Sequence, residues 1–164
     1  MERIPAEFPF LAPSKMEIKE EIKQSRFRNH YQEAAINILY TAGWLANQHK
    51  DFFAQFDITS QQFNILSILR GQHPNQISGS EIKSRMMDKN SDVSRLLDRL
   101  LSKGLIVKAT CPEDKRAANI SISAQGLELL KKSDAQISQL DNILGNLNEK
   151  EASQLSRLLD KARG

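Results

Sequence analysis

A chain of 164 residues, 40% of them hydrophobic, is long enough to bury a core and predicts a single domain. Its 23 Lys and Arg against 20 Asp and Glu give a net charge of +3, which alone says little about partners. The single cysteine excludes an internal disulfide and a cysteine-rich zinc site, and without an apolar run of 18 residues we expect no membrane span.

The N-terminal segment, residues 1–30, predicts an irregular arm and the start of the first helix. It contains Pro5, Pro9 and Pro13 and lacks the apolar stretch of a secretory signal, so we expect a soluble, cytoplasmic protein. A long helix is predicted from about Met16 to Phe56, and it could break near Arg26 to His30. Residues at helical spacing in its second half are Ala35, Ile38, Leu39, Ala42, Leu45, Ala46, His49, Phe52, Phe53 and Phe56.

Two capping boxes follow along the chain. Thr59 with Gln62 predicts the start of a helix that ends at Gly71. Its inward-facing residues would be Phe63, Leu66 and Leu69. Ser78 with Glu81 predicts the start of a shorter helix, which carries Ile82 and Met86.

A tight turn at residues 88–90 separates that short helix from another one. Ser91 is the expected N-cap, and the helix should run to Lys103, with Gly104 just beyond its end. Its apolar face comprises Val93, Leu96, Leu97, Leu100 and Leu101. Its polar face comprises Ser91, Asp92, Ser94, Arg95, Asp98, Arg99 and Ser102.

Two interpretations of that polar face remain open. A helix of this size fits the DNA major groove, where Arg can bind guanine O6 and N7. Alternatively, the face is only solvated, with Arg95 paired to Asp92 or Asp98 along the helix. The elements that follow favour the first interpretation.

Those elements form a β-hairpin. Leu105 to Thr110 and Ala117 to Ile122 alternate as strands do, and residues 111–116 supply a proline-containing turn. The turn carries Lys115 and Arg116, and a basic tip can enter a minor groove. A helix, a turn, a helix and a hairpin together predict a winged helix-turn-helix.

Charge is concentrated in the same region. Residues 83–116 contain nine Lys or Arg and five Asp or Glu, a net of +4, which leaves −1 for the remainder of the chain. Since DNA affinity depends chiefly on phosphate neutralisation, this is where binding to double-stranded DNA is expected.

Two more helices are predicted at the C-terminus. Ser123 should cap a helix that carries Leu127, Leu130, Ile137, Leu140 and Leu144. Asn148 with Glu151 should cap the last one, which carries Leu155, Leu158 and Leu159. These apolar stripes exceed what a small winged helix could cover, so a second chain is the expected partner.

Other chemistry is sparse. Cys111 lies near basic residues that could lower its pKa, although an unreactive residue before Pro112 is the simpler interpretation. The three histidines show no metal-ligand spacing, and His49 lies on an apolar face where a packed histidine is expected. Trp44 and the aromatic cluster of Phe52, Phe53 and Phe56 could line an effector pocket, but such spacing is more typical of a core. No catalytic motif is visible, so we expect neither an enzyme nor a cofactor or metal.

Residues 90–126 resemble the recognition helix and wing of MarR-type regulators. The matching positions are Ser91, Arg95, Leu96, Arg99, Leu100, Lys103, Gly104, Leu105, Asp114, Arg116, Ser123 and Gly126. Where the family often has two adjacent arginines after the wing aspartate, this chain has Lys115 and then Arg116, which keeps the charge but loses one planar guanidinium. The order and length of the flanking helices extend the resemblance over most of residues 31–162.

The resemblance implies a homodimeric transcription regulator that binds an inverted repeat, and a small-molecule effector could also be a partner. Its fold would be mainly α with a small β-hairpin wing, flanked by N- and C-terminal dimerisation helices. The DNA-binding winged helix would occupy about 57–123, with dimerisation helices at about 31–56 and 123–162. The residues expected at DNA are Ser91, Asp92, Ser94, Arg95, Arg99, Lys115 and Arg116, with Asp114 bracing the wing. The alternative function is a helical protein-interaction module that has lost DNA binding.

Overall fold

The computed structural model describes residues 17–110 and 118–164. They form helices and one small antiparallel sheet, as the sequence predicts. The helices are α1 (Ile18–Glu21), α2 (His30–Ala54), α3 (Ser60–Gln72), α4 (Gly79–Arg85), α5 (Val93–Ser102), α6 (Ala124–Asp134), α7 (Ser138–Asp141) and α8 (Glu149–Arg163), with a 3-10 turn at Asn142–Leu144. The strands are β1 (Ile77–Ser78), β2 (Ile106–Thr110) and β3 (Ala118–Ile122).

Two compact units are recognised, one up to Trp44 and one from Leu45 onward. In the first, the expected break in the long N-terminal helix is present, between α1 and α2. The Tyr40 hydroxyl donates to Glu21 Oε2 at 2.7 Å, and Lys19 Nζ lies 3.4 Å from Glu33 Oε1. The hydrogen bond to the Glu21 carboxylate raises the pKa of Tyr40 above its usual value. Large apolar side chains exposed here are Tyr31, Ile38, Leu39, Tyr40 and Trp44.

The second unit contains the hydrophobic core. Its fully buried apolar side chains are Phe53, Ile65, Leu66, Leu69, Ile82, Met86, Leu100, Ile120 and Leu130. They come from α2, α3, α4, α5, α6 and β3, so the core joins the helices to the sheet. His49 lies edge-on to Phe53, with ring centroids 6.2 Å apart, and burial lowers its pKa. The prediction of a packed histidine agrees with this position.

The capping box at Thr59 is confirmed. Thr59 Oγ1 accepts the Gln62 N–H at 3.2 Å, and the Gln62 side chain accepts the Thr59 N–H at 3.0 Å. The predicted end of that helix at Gly71 is wrong, because α3 continues to Gln72 and His73 is its C-cap. The glycine adopts no left-handed conformation and so does not terminate the helix.

The sheet has the strand order β1-β3-β2, with both pairs antiparallel. Ile106 pairs with Ile122, and Lys108 pairs with Ile120, as the period-two pattern predicts for a hairpin. β1 is an addition that the sequence does not predict. It is two residues long and pairs Ile77 with Ile120, too short for a recognisable alternation.

The C-terminal region differs from the prediction in one respect. Ser123 caps α6 as expected, accepting the Gly126 N–H at 3.0 Å, but α6 ends at Asp134. The single predicted helix is therefore three pieces, α6, α7 and the 3-10 turn. The Asn148 and Glu151 capping box of α8 is confirmed. Over the two described stretches, no helix has both the length and the apolar character needed to span a bilayer.

Candidate nucleic-acid interface

α4 and α5 form the predicted helix-turn-helix. Ser78 Oγ accepts the Glu81 N–H at 3.2 Å, which confirms the N-cap of α4. The reciprocal half of the capping box is not formed. Instead the Glu81 carboxylate accepts from Arg85 Nη2 at 2.5 Å, one turn further along the helix.

The turn before α5 is ordered by Asp88. Its carboxylate accepts the Asn90 N–H and the Ser91 hydroxyl, both at 2.9 Å. The prediction of Ser91 as the N-cap is therefore wrong, because its hydroxyl is already committed to Asp88. Asp92 takes the capping position, with Oδ1 accepting the Arg95 N–H at 3.1 Å.

α5 is thus shorter than the predicted span from Ser91 to Lys103. It runs from Val93 to Ser102, with Lys103 as its C-cap. Gly104 follows with φ +69°, the left-handed conformation that glycine adopts without strain. The helix end is as predicted, and only the cap at its start is shifted.

α5 has a buried face and an exposed basic face. Val93, Leu97 and Leu100 are buried, whereas Arg95 and Arg99 are exposed. The pairing of Arg95 with Asp92 or Asp98 that the alternative interpretation requires is absent, and across residues 17–110 and 118–164 neither guanidinium forms an ion pair. Within the described residues, both guanidinium groups are thus exposed and without an ionic partner.

Asp98 could have neutralised a neighbouring arginine of α5, but it pairs instead with a lysine of strand β2. Lys108 Nζ of β2 lies 3.0 Å from Asp98 Oδ1. This ion pair joins the outer face of α5 to the base of the hairpin. Both side chains are exposed enough for solvent to weaken their attraction, so the pair orients the two elements more than it stabilises the fold.

A shallow open groove of about 240 Å³ lies beside this face. It is lined by Thr59, Gln61, Asp88, Ser91, Asp92, Arg95, Leu96 and Arg99. The structure thus brings together four of the predicted DNA-binding residues, Ser91, Asp92, Arg95 and Arg99, along one surface. Ser94 is exposed on the same helix but does not line the groove.

The tip of the wing lies outside the described residues. This concerns four residues with predicted roles or reactivity, Cys111, Asp114, Lys115 and Arg116. The strands that lead to it are in register up to the pair Thr110 and Ala118. The roles of the tip residues therefore stay predictions.

Hydrogen bonds fix the junction between α5 and the hairpin. The Ser123 hydroxyl donates to the Gly104 carbonyl at 2.7 Å, and the Ser123 N–H donates to the Leu105 carbonyl at 3.1 Å. Lys103 Nζ binds the carbonyl of Asp57 and lies 2.8 Å from its Oδ2. The two ends of the wing and the end of α5 are held in a fixed relation.

Sequence reasoning missed the partners Asp57 and Asn64, the latter of which accepts the Met87 N–H at 3.0 Å. Each is more than 20 residues from the group it binds, and neither belongs to a local motif. The pairing of Asp98 with Lys108 was missed because an intrahelical partner was available in the sequence. In the part of the chain that the structure describes, no three His, Cys, Asp or Glu side chains are placed to hold a metal.

Comparisons with known proteins agree with this geometry. A model of the MarR family matches residues 58–118. The crystal structure of a MarR transcription factor from Planctomyces limnophilus is 32% identical, with a TM-score of 0.66 over 82% of this chain and 98% of that one. A mutant MarR from E. coli complexed with operator DNA is 26% identical, with a TM-score of 0.71 over 84% and 99% of the two chains. The HTH-type transcriptional regulator PecS of Dickeya dadantii is 29% identical over 111 residues, which are 66% of this chain and 67% of PecS.

Proposed function

The chain belongs to the MarR family of transcription regulators, and from that premise we propose that it works as a homodimer that recognises one specific double-stranded DNA site. It is a regulator and not an enzyme. In the proposal α5 enters the major groove of each half-site, and the hairpin at residues 105–122 reaches the adjacent minor groove.

The observation that carries the proposal is the pair of exposed guanidinium groups on α5. Arg95 and Arg99 are one turn apart and belong to a helix whose opposite face is buried in the core. A helix packed on the core that presents arginines, with no ion-pair partner among the described residues, has the chemistry that reads guanine edges or neutralises phosphates. Ser91, Ser94, Lys115 and Arg116 complete the proposed DNA-binding set, and Asp92 contributes by capping the helix.

Dimer formation is proposed for the helices at about 31–56 and 123–162, and DNA binding for about 57–123. Leu39 on α2 is 72% exposed, and Leu158 on α8 is 56% exposed. Apolar side chains of this size, repeated along each helix, favour burial against a second copy of the chain. A two-fold dimer would also supply the second recognition helix that an inverted repeat requires.

The proposal keeps a small-molecule effector as a partner, as membership of the family implies, but assigns no residues to it. Phe52 and Phe53 are buried, with ring centroids 5.0 Å apart, and Phe53 stacks on Phe63 at 4.4 Å. These rings fill the core of the second unit. The aromatic cluster at Phe52 and Phe53 is therefore core, as the simpler interpretation of its spacing predicts.

Sedimentation and DNA titration test the proposal together. We expect a mass twice the 18.6 kDa of one chain. We also expect a duplex affinity that falls linearly on a log–log plot against salt, since several phosphates are neutralised. A monomer, or a dimer that retains no DNA at low salt, would instead support the protein-interaction module.

A separate prediction concerns the wing aspartate. If Asp114 braces the hairpin so that Arg116 reaches the minor groove, Asp114→Ala should weaken DNA binding several-fold, the scale of one lost charge-assisted hydrogen bond. Net charge alone predicts the opposite sign, because the substitution removes a negative charge that DNA repels. Fluorescence anisotropy at fixed salt distinguishes the two, with Arg116→Ala as the companion variant. Tighter binding by Asp114→Ala would contradict the bracing role.

A further inference from the structure

Two adjacent methionines at the start of the turn have opposite environments. Met86 is 1% exposed, whereas Met87 is 88% exposed. Met86 is the C-cap of α4 and has an extended backbone, with φ −60° and ψ 139°. Since successive side chains of an extended backbone point in opposite directions, burying Met86 turns Met87 away from the core.

The backbone on both sides of Met87 is held in place. Its N–H donates to Asn64 Oδ1 of α3 at 3.0 Å. Immediately after it, Asp88 binds the Asn90 N–H and the Ser91 hydroxyl. The exposed methionine is therefore presented from a fixed position, and not from a loose loop.

That position adjoins the proposed DNA surface. Asp88, the next residue, lines the same groove as Arg95 and Arg99. Between Met87 and Arg95 the remaining exposed side chains are polar, and Val93 is buried. Met87 thus supplies a large, almost fully exposed apolar group at the edge of this face, where Leu96 in the groove lining is only partly exposed.

On the edges of the base pairs in the major groove, the C5 methyl of thymine is the apolar group, and apolar side chains contact it. We propose that Met87 is a specificity-determining residue that packs on a thymine methyl in each half-site. The inference rests on the proposed function, because it requires α5 to enter the major groove. The flexible thioether side chain suits such a contact, since it adapts to the position of a single methyl group.

The test removes the methyl group from DNA and the side chain from the protein in turn. Each thymine of the bound duplex is replaced singly by deoxyuridine, which lacks only that methyl, and Kd is measured by anisotropy at fixed salt. For the unsubstituted protein, deoxyuridine at one thymine of each half-site should weaken the affinity about fourfold, the scale of one buried methyl group. Met87→Ala should bind the thymine duplex more weakly by a similar factor and lose its sensitivity at that position.

Met87→Leu is the matched control and should retain the sensitivity, because it keeps an apolar side chain of similar size. Because Met87 is exposed, all three proteins should have the same melting temperature. The inference is overturned if no thymine methyl matters to the unsubstituted protein, or if Met87→Ala keeps the sensitivity. Uniform weakening by Met87→Ala also overturns it, since that indicates a sugar contact. If the unsubstituted protein binds no duplex at all, the proposed function fails together with the inference. If it binds DNA but shows none of the expected methyl dependence, only the inference about Met87 fails.

Discussion

Arg95→Ala and Arg99→Ala should each weaken specific DNA binding by about 1–3 kcal/mol, or roughly 5- to 150-fold in Kd. Both guanidinium groups are exposed on α5 and free of ion pairs in residues 17–110 and 118–164. An arginine that binds guanine should also relax base preference at one position per half-site when it is removed. An arginine that binds phosphate should instead weaken all sequences evenly and reduce the slope of affinity against salt.

Arg157→Ala is the matched control. It removes the same charge from an exposed position on α8, outside the proposed DNA surface but within a proposed dimerisation helix, so sedimentation must first show that this variant keeps the mass of the unsubstituted protein. Its affinity should stay close to that of the unsubstituted protein at physiological salt, where exposed charges far apart are screened. If Arg95→Ala and Arg99→Ala keep both affinity and base preference, the polar face of α5 is only solvated, as its second interpretation states.

Gly126→Ala should lower the free energy of unfolding by about 1–3 kcal/mol, the range for overpacking a filled site. A methyl group at this position would lie 2.8 Å from Ile122 Cγ1 and closer still to the Leu105 carbonyl oxygen. That carbonyl also accepts the Ser123 N–H, so relief of the clash would disturb the junction where the wing leaves and rejoins the helices. Urea denaturation measures the loss.

Gly71→Ala is the same change of residue, but it should raise the free energy of unfolding. Gly71 lies in the last turn of α3, and apart from the adjoining residues and the backbone of its own helix, no described atom lies within 4 Å of an added methyl group. The substitution should raise stability by about 0.5–1 kcal/mol, because alanine loses less backbone entropy on folding. Equal effects of the two substitutions would contradict the close approach at Gly126.

The sequence predicted the features that depend on local chemistry. The caps at Thr59, Ser78, Ser123 and Asn148 follow from residue type and spacing, and all four are confirmed. The cap of α5 was misplaced by one residue, because Ser91 and Asp92 are equally suitable in sequence. Their order is decided by Asp88, which takes the Ser91 hydroxyl.

Features that depend on distant partners could not be predicted. β1 exists because it pairs with β3, and two residues carry too little pattern to predict a strand. The ion pair of Lys108 with Asp98 requires knowing that β2 returns along α5. The end of α6 at Asp134 was missed because apolar residues continue at helical spacing beyond it. Such differences follow from tertiary packing, which overrides local periodicity.

Sequencing the genomic DNA fragments retained by the purified protein tests the central proposal most directly. A homodimer with one α5 in each of two successive major grooves should select an inverted repeat. Its half-site centres should lie about 10 bp apart. Retained fragments that share only a single unsymmetrical half-site, or no common sequence, would contradict it.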